Sequence, residues 1–212
     1  MKSIEDKLNE GRVYRDFAAL VPQEEMMVEG YATTFNSPYL LYRDGEYEVW
    51  EQVDANAFDR ADKSDTIMQY DHRGRVFARV SNNTLALMAD EHGLKVTALL
   101  GGTELGRQLY EEIKGGYTTK MSFGFTVDED KKEILEKGDS VRVLRTILKI
   151  NRLFDVSAVS IPANDGTAIS ARAYGEGVIA EVAEECRKRK ERKEQIERIK
   201  MLTEVNYERN DY

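Results

Sequence analysis

The chain has 212 residues, of which 41% are hydrophobic and 33% are charged, and its formal net charge is −8. The length and the hydrophobic content favour one sizeable domain with an appendage. The acidic balance argues against a nucleic-acid partner, because binding to phosphates requires a positive field. A single cysteine, Cys186, excludes an internal disulfide and suits a reducing compartment. No signal peptide and no segment of transmembrane length is recognisable, so we expect a soluble, cytosolic protein with no membrane partner.

Short strands dominate the first hundred residues. After a short helix over residues 1–10, apolar and β-branched runs predict strands over residues 13–21, 26–35, 40–42, 47–50, 66–70, 76–80, 84–89 and 94–100. Gly45 marks the turn of a hairpin between the third and fourth of these strands. Thr103 then caps a helix in which Leu105, Leu109 and Ile113 form one apolar face.

The second half of the chain alternates strands with polar segments. A strand is predicted over residues 116–127, a loop over the charged residues 128–140, strands over residues 141–148 and 153–160, and a closing turn over residues 161–166. Many short strands with one clear internal helix predict a mainly β fold with helices (α+β), built as a β-barrel or a sandwich. We expect this body to occupy residues 1–174. A charged tail, helical or partly disordered, is expected over residues 175–212.

Metal and phosphate chemistry find little support in the sequence. The two histidines stand twenty residues apart and there is no pair of cysteines, so no zinc-binding spacing exists. A hard-metal site built only from carboxylates stays open, although the acidic residues do not cluster. No glycine-rich phosphate-binding loop is present. We therefore predict no metal and no cofactor.

Ser122 interrupts the apolar strand Met121-Ser122-Phe123-Gly124-Phe125. A buried hydroxyl without a partner costs about 1–3 kcal/mol, so this side chain needs one. Two interpretations stay open: a structural hydrogen bond to a neighbouring strand or to water, and a nucleophile. A nucleophilic serine needs a base, and a further group that holds the base in the right tautomer. The absence of a Gly-x-Ser-x-Gly elbow excludes an α/β-hydrolase.

His72 and Asp155 are the candidates for these two roles. His72 follows directly on a short apolar strand, which places an imidazole at the mouth of that strand; a surface or structural histidine is the alternative. Asp155 is the one carboxylate inside a strongly apolar strand, where its charge must be paired. The imidazole of His72 would pair it, and so would a salt bridge to Arg152 or Arg142.

Five segments of the chain, in order, resemble the prohead maturation proteases of tailed bacteriophages, which are serine peptidases similar in fold to the herpesvirus assemblin proteases. The resemblance covers about residues 29–166. The segments are Gly30-Tyr31-Ala32 with Phe35-Asn36, Asp71-His72 with Gly74-Arg75, Gly93-Leu94 with Thr103, Ser122-Phe123-Gly124-Phe125, and Asp155-Val156-Ser157 with Pro162-Ala163-Asn164.

The resemblance implies a catalytic triad of Ser122 as nucleophile, His72 as general base and Asp155 as the acid that orients the base. Two positions depart from the family pattern. The aspartate that usually follows the histidine precedes it here, as Asp71, and the acid of the closing strand is aspartate where glutamate is usual. His92 is a remote substitute for the third member, because the assemblin relatives use a second histidine.

The resemblance further implies an assemblin-like closed β-barrel surrounded by helices, acting as a homodimer inside the assembling prohead in the host cytoplasm. The expected substrates are the scaffold protein, or a scaffold-like segment of the major capsid protein, and the enzyme itself. Backbone N–H groups of the loop from Pro162 to Gly166 are the expected oxyanion donors. Self-cleavage is expected between Ala173 and Arg192, because glycines in this region suggest a flexible connection.

Two other functions stay open. The chain could be a non-catalytic assembly or scaffolding factor in which the barrel is a relic and the charged tail packs as scaffold. It could also be a β-barrel module that binds a small ligand in a central pocket. Reaction of Ser122 with a fluorophosphonate is expected only of the protease.

Overall fold

The computed structural model describes residues 12–17, 20–22, 26–137, 140–159 and 165–210. The predicted helix over residues 1–10 and most of the predicted turn over residues 161–166 lie outside these ranges. Within them, no helix is long and apolar enough to cross a membrane. The elements formed there are β1 (Val13–Phe17), β2 (Val21–Pro22), β3 (Met27–Thr34), β4 (Tyr39–Asp44), β5 (Tyr47–Val53), β6 (Ile67–Tyr70), β7 (Arg73–Arg79), β8 (Leu85–Ala89), β9 (Gly93–Leu99), α1 (Glu104–Lys114), β10 (Lys120–Lys137), β11 (Ser140–Val159) and α2 (Asp165–Asn210).

The strands form two sheets. β11 is the centre of a seven-stranded sheet with the order β1-β10-β11-β5-β4, to which β6 is added through β11 and β7 through β6. β11 runs antiparallel to β10, parallel to β5 with its first half, and parallel to β6 with its second half. The other sheet has the order β2-β3-β9-β8, so the single strand predicted over residues 13–21 is two strands in different sheets. The mainly β class with helices is confirmed, whereas no closed barrel is found among the described residues.

The charged segment of residues 128–140 is largely strand, so the prediction of a loop is wrong there. β10 continues to Lys137 and pairs with β11, which is one strand where two were predicted. Ion pairs between Arg145 and Asp130 and between Lys149 and Glu129 cross this hairpin. Opposite charges placed across a ladder stabilise it, and this compensation is invisible when one strand is considered alone.

One cluster of buried apolar side chains joins both sheets and α1. Helix α1 begins as predicted, because the Thr103 hydroxyl accepts a hydrogen bond of 3.0 Å from the N–H of Gly106. Leu109 and Ile113 are buried in the cluster, as expected for the apolar face. Leu105, on the same face, is 39% exposed and lies at the surface of the first turn.

Helix α2 runs for 46 residues across the glycines at positions 175 and 177. Its Val178 and Val182 are buried against β5 and β11 in a second apolar cluster. Gly175 is also buried, and a Cβ at this position would lie 2.4 Å from the ring of Tyr42. The expectation of a flexible glycine connection is therefore wrong, because the close approach of helix and sheet requires Gly175. The division into a body of residues 1–174 and a tail of residues 175–212 stays a prediction.

A buried ionic network fixes β1 to the sheet. The carboxylate of Glu51 has no exposed surface and accepts hydrogen bonds from Arg15 (Nη2–Oε2, 3.1 Å), from Arg145 (Nη1–Oε2, 2.9 Å) and from the hydroxyl of Tyr39. Burial alone would raise the pKa of Glu51, but the two guanidinium groups outweigh burial and hold the pKa below its ordinary value. The ring of Tyr174 from α2 covers Arg145 at 4.3 Å.

Candidate active site

Ser122 lies near the start of β10, between two neighbouring strands. It pairs with Asp16 of β1 on one side and with Ser157 of β11 on the other. Ser122 has no exposed surface. Residues paired directly across a ladder share a face, as do alternate residues of one strand. Ser122, Ser157 and Asp155 therefore lie on one face of the sheet, opposite the face that carries the core residue Phe123.

His72 is the second residue of a two-residue turn between β6 and β7. Asp71 and His72 have φ values of 46° and 56°, and the strand residues on either side of them, Tyr70 and Arg73, pair with each other. Positive φ at both positions is the pattern of a type I′ hairpin turn. Residues other than glycine rarely adopt this conformation, and such strain is concentrated at functional sites. The N–H of Asp71 donates to the carbonyl of Ala158 at 3.0 Å, which anchors the turn to β11.

The turn brings the imidazole of His72 between Ser122 and Asp155. Its Nε2 lies 2.6 Å from Ser122 Oγ, and its Nδ1 lies 2.5 Å from Asp155 Oδ1. The side chains of His72 and Asp155 are 6% and 4% exposed, so the contacts are shielded from solvent. The three residues proposed from the sequence are thus brought together in one hydrogen-bonded line. This arrangement can move a proton from the hydroxyl to the imidazole while the carboxylate holds the Nδ1 proton.

Ser157 is a fourth polar residue of the site, and the sequence argument did not single it out. Its hydroxyl donates to Asp155 Oδ1 at 2.9 Å, the same oxygen that faces the imidazole of His72. Ser157 has no exposed surface. The available signal was a second polar residue two positions after Asp155 in the same apolar strand, where alternate residues share a face. A hydroxyl in this place fixes the rotation of the carboxylate.

The other possible partners of Asp155, and the other candidates for its role, make different contacts. Arg152 pairs with Asp62 at 3.5 Å and Arg142 pairs with Glu48 at 3.1 Å, so neither is the partner of Asp155. His92 is exposed in the turn between β8 and β9, where its ring packs edge-on against Tyr31 at 4.6 Å. Asp71 shares the turn with His72, but the Nδ1 contact of the imidazole is made to Asp155.

Two further expectations from the sequence concern the oxyanion loop and a metal site. The expected oxyanion loop, residues 162–166, falls mostly outside the described residues, and α2 begins at Asp165. Among the residues that the structure describes, no group of three histidine, cysteine, aspartate or glutamate side chains is arranged to hold a metal ion.

Comparison with known proteins adds one finding. The family model described as caudovirus prohead serine protease matches residues 17–179, which is well over half of the chain. The match includes the positions of His72, Ser122 and Asp155. No curated protein and no solved structure matches the chain.

Proposed function

This chain belongs to the caudovirus prohead serine protease family, and we propose that it is an endopeptidase that uses Ser122, His72 and Asp155 as a catalytic triad. The observation that carries the proposal is the contact of 2.6 Å between His72 Nε2 and Ser122 Oγ, with Asp155 at the opposite ring nitrogen. A hydroxyl is activated when a neutral imidazole is within reach of its proton.

In the proposed reaction, Ser122 Oγ attacks the carbonyl carbon of the scissile peptide while His72 Nε2 takes the hydroxyl proton. The imidazolium then gives this proton to the amide nitrogen as the C–N bond breaks, which leaves an acyl-enzyme and a free amine. A water molecule then attacks the acyl group while His72 takes its proton. The imidazolium returns this proton to Ser122 Oγ as the ester C–O bond breaks, which releases the carboxylic acid product and restores Ser122. Asp155 stabilises the imidazolium in both halves of the reaction. Ser157 is a positioning residue in this scheme, because it acts through Asp155.

The buried nucleophile sets a condition on this reaction. Ser122 has no exposed surface, so a polypeptide reaches it only after a neighbouring segment moves. We propose the scaffold, or a scaffold-like segment of the major capsid protein, as substrate, inside the assembling prohead in the host cytoplasm. A homodimer and a closed assemblin-like barrel belong to the same proposal and rest on the family resemblance.

Self-processing is also part of the proposal, and the burial of part of α2 narrows the segment in which cleavage is expected. Of the expected window, residues 173–192, the part near Gly175 and Val178 is buried against the sheet, whereas residues from Arg187 onward are exposed. A cut between residues 187 and 192 therefore needs only local unwinding of the helix. Intact-mass measurement of wild-type protein over time, beside Ser122→Ala, tests this. Equal trimming of both proteins would point to a host protease.

The main experiment uses a fluorophosphonate probe and the cognate capsid protein. We expect the probe to label wild-type protein, with the adduct mapped to Ser122, and we expect no label on Ser122→Ala or after unfolding. When the two proteins are co-expressed, we expect wild-type protein to cleave the capsid protein to a lower mass and Ser122→Ala to leave its mass unchanged. An unlabelled wild type that leaves the capsid protein intact would contradict the proposal.

The second candidate function, a non-catalytic assembly factor, is favoured by one feature. Residues 187–198 of α2 form an exposed, charged stretch of helix that presents a surface to other proteins. In that case the co-expressed capsid protein keeps its full mass both with the wild type and with Ser122→Ala. Removal of residues 187–212 would instead abolish prohead assembly.

A further inference from the structure

A groove opens between β7 and the first turn of α1, close to the turn that carries His72. Its volume is about 290 Å³, and its lining residues are Arg75, Val76, Phe77, Thr103 and Leu105. Val76 is 43% exposed and Leu105 is 39% exposed, so the groove presents apolar surface to the solvent. Leu105 belongs to the apolar face of α1 but faces this groove instead of the core.

The groove is joined to the proposed active site by a very short piece of chain. Arg75 is three residues from His72, so their Cα atoms are at most about 11 Å apart. An extended substrate spans the same distance with three to four residues. A polypeptide with its scissile bond at Ser122 therefore reaches the groove with a side chain a few positions from the bond.

β7 offers a free edge beside the groove. Among the described strands it pairs with β6 alone, and residues 73–76 at its start are all exposed. An unpaired edge binds an extended polypeptide through its backbone N–H and C=O groups, while adjoining pockets select the side chains. The strand edge would hold the backbone of a substrate segment, and the groove would select the side chains of that segment.

The exposed start of β7 carries two arginines, Arg73 and Arg75. Neither Arg73 nor Arg75 forms an ion pair within the described chain. Six other arginines of the body do: Arg15, Arg43, Arg79, Arg142, Arg145 and Arg152. Arg75 lines the groove, and Arg73 is exposed two residues before it on the same strand. A positive charge without a partner beside an apolar groove matches a carboxylate next to an apolar side chain.

We propose that Arg75, assisted by Arg73, binds an acidic residue of the substrate within about four residues of the cleaved bond. The groove takes an apolar side chain of the same segment. The substrate class is thus an extended polypeptide segment that combines acidic and apolar residues. This inference rests on the proposed protease function, because it takes Ser122 as the place of cleavage.

Binding tests this proposal independently of turnover. The Ser122→Ala protein is titrated with three fluorescein-labelled ten-residue peptides in which leucine alternates with glutamate, glutamine or lysine. Exposed ion pairs contribute modestly, so we expect the glutamate peptide to bind roughly two- to fivefold more tightly than the glutamine peptide for each pair formed. The preference is expected to fall with added salt, since the Debye length is about 10 Å at 0.1 M.

A charge reversal with a matched control locates the effect. Arg75→Glu in the Ser122→Ala background is expected to reverse the order, so that the lysine peptide binds more tightly than the glutamate peptide. Arg60 is exposed and does not line the groove, and Arg60→Glu changes the net charge by the same amount. We expect Arg60→Glu to keep the original order. Equal affinities for the three peptides, or equal effects of Arg60→Glu and Arg75→Glu, would overturn the proposal.

The fluorophosphonate reaction of the wild type separates this inference from the proposed function. Labelling at Ser122 without any preference for the glutamate peptide refutes the acidic subsite and leaves the protease standing. A preference that Arg75→Glu reverses, in a protein that neither reacts nor cleaves, supports the binding site and refutes the protease.

Discussion

Replacement of Ser157 by alanine separates a positioning role from a packing role. The change removes the donor at 2.9 Å from Asp155 Oδ1 and leaves the contact between Asp155 and His72 in place. Without this donor the carboxylate can rotate about its side-chain bonds. A smaller fraction of molecules then holds the imidazole in the tautomer and direction that Ser122 requires.

The size of the effect follows from the type of hydrogen bond. A bond to a charged group contributes about 1.5–3 kcal/mol, which corresponds to roughly 10- to 150-fold in rate if it is expressed fully in the transition state. Asp155 keeps its bond to His72, so we expect the lower end of this range. The maximal rate of reaction of Ser122 with the fluorophosphonate is expected to fall about tenfold. The probe concentration at half-maximal rate is expected to change little, because the probe does not contact Ser157.

A double-mutant cycle with Asp155→Asn provides the decisive assay. An asparagine amide donates to Nδ1 and forces the proton onto Nε2, so His72 can no longer accept from Ser122 and the rate falls by several orders of magnitude. If Ser157 acts through the carboxylate, Ser157→Ala costs less than about twofold in the Asp155→Asn background. Thermal unfolding of all four proteins shows whether any fall in rate reflects loss of folded protein.

Ser157→Cys supplies the matched control, because it keeps the buried volume and replaces the hydroxyl by a weak donor. We expect its rate to resemble that of Ser157→Ala. If Ser157→Cys reacted as fast as the wild type, Ser157 would only fill space. An additive loss in the Asp155→Asn background would also refute a role that passes through Asp155.

Three predictions concern the scaffold around the site. Glu51→Gln removes the buried negative charge that Arg15 and Arg145 share, and we expect about 3–5 kcal/mol lower stability in urea unfolding. The folded-state pKa of Glu51 is lowered, so its stabilising effect is present above the ordinary carboxyl range and is lost as the pH falls through the folded pKa. The Gln variant should therefore lose less stability on acidification than the wild type. Equal slopes of unfolding free energy against pH for the two proteins would contradict this. Gly175→Ala places a Cβ against Tyr42 and is expected to lower the melting temperature, whereas Gly177→Ala, with no atom near its Cβ, is expected to raise it by helix propensity; two equal shifts would refute the close packing of α2. Thr103→Ala is expected to cost about 1 kcal/mol by loss of the α1 cap, with Thr103→Ser near wild type, and two equal losses in thermal unfolding would deny the capping role.

Two polar residues of the candidate site could be found from the sequence, because each breaks a local pattern. Ser122 and Asp155 interrupt apolar strands, and a buried polar group requires a partner. That requirement predicts that partners exist, but it does not say which residues they are. The choice between His72 and the arginines for Asp155 was open until the distance of 2.5 Å from Nδ1 to Oδ1 decided it. Ser157 was missed because a serine within a strand is usually unremarkable.

Two of the wrong predictions have a common cause. The segment of residues 128–140 was assigned from its charge, and the connection near Gly175 was assigned from its glycines. In both places the missing partner is distant in sequence: β11 carries the opposite charges for β10, and Tyr42 occupies the space that a side chain at position 175 would need. Local propensity describes a segment alone, and tertiary contacts override it.

The sequence by itself determined the strand-rich class, the cap of α1 with most of its buried face, and two polar side chains, Ser122 and Asp155, that are expensive to bury. These properties depend on near neighbours in the chain, where periodicity and hydrogen-bonding requirements act directly. Only the tertiary structure decided that a strained turn on β6 and β7 lies over β10 and β11. His72 is 50 residues from Ser122 and 83 from Asp155, so their contacts depend on the register of three strands. Register is fixed by pairing and burial along the whole sheet, and a shift of one residue would turn Ser122 towards the core.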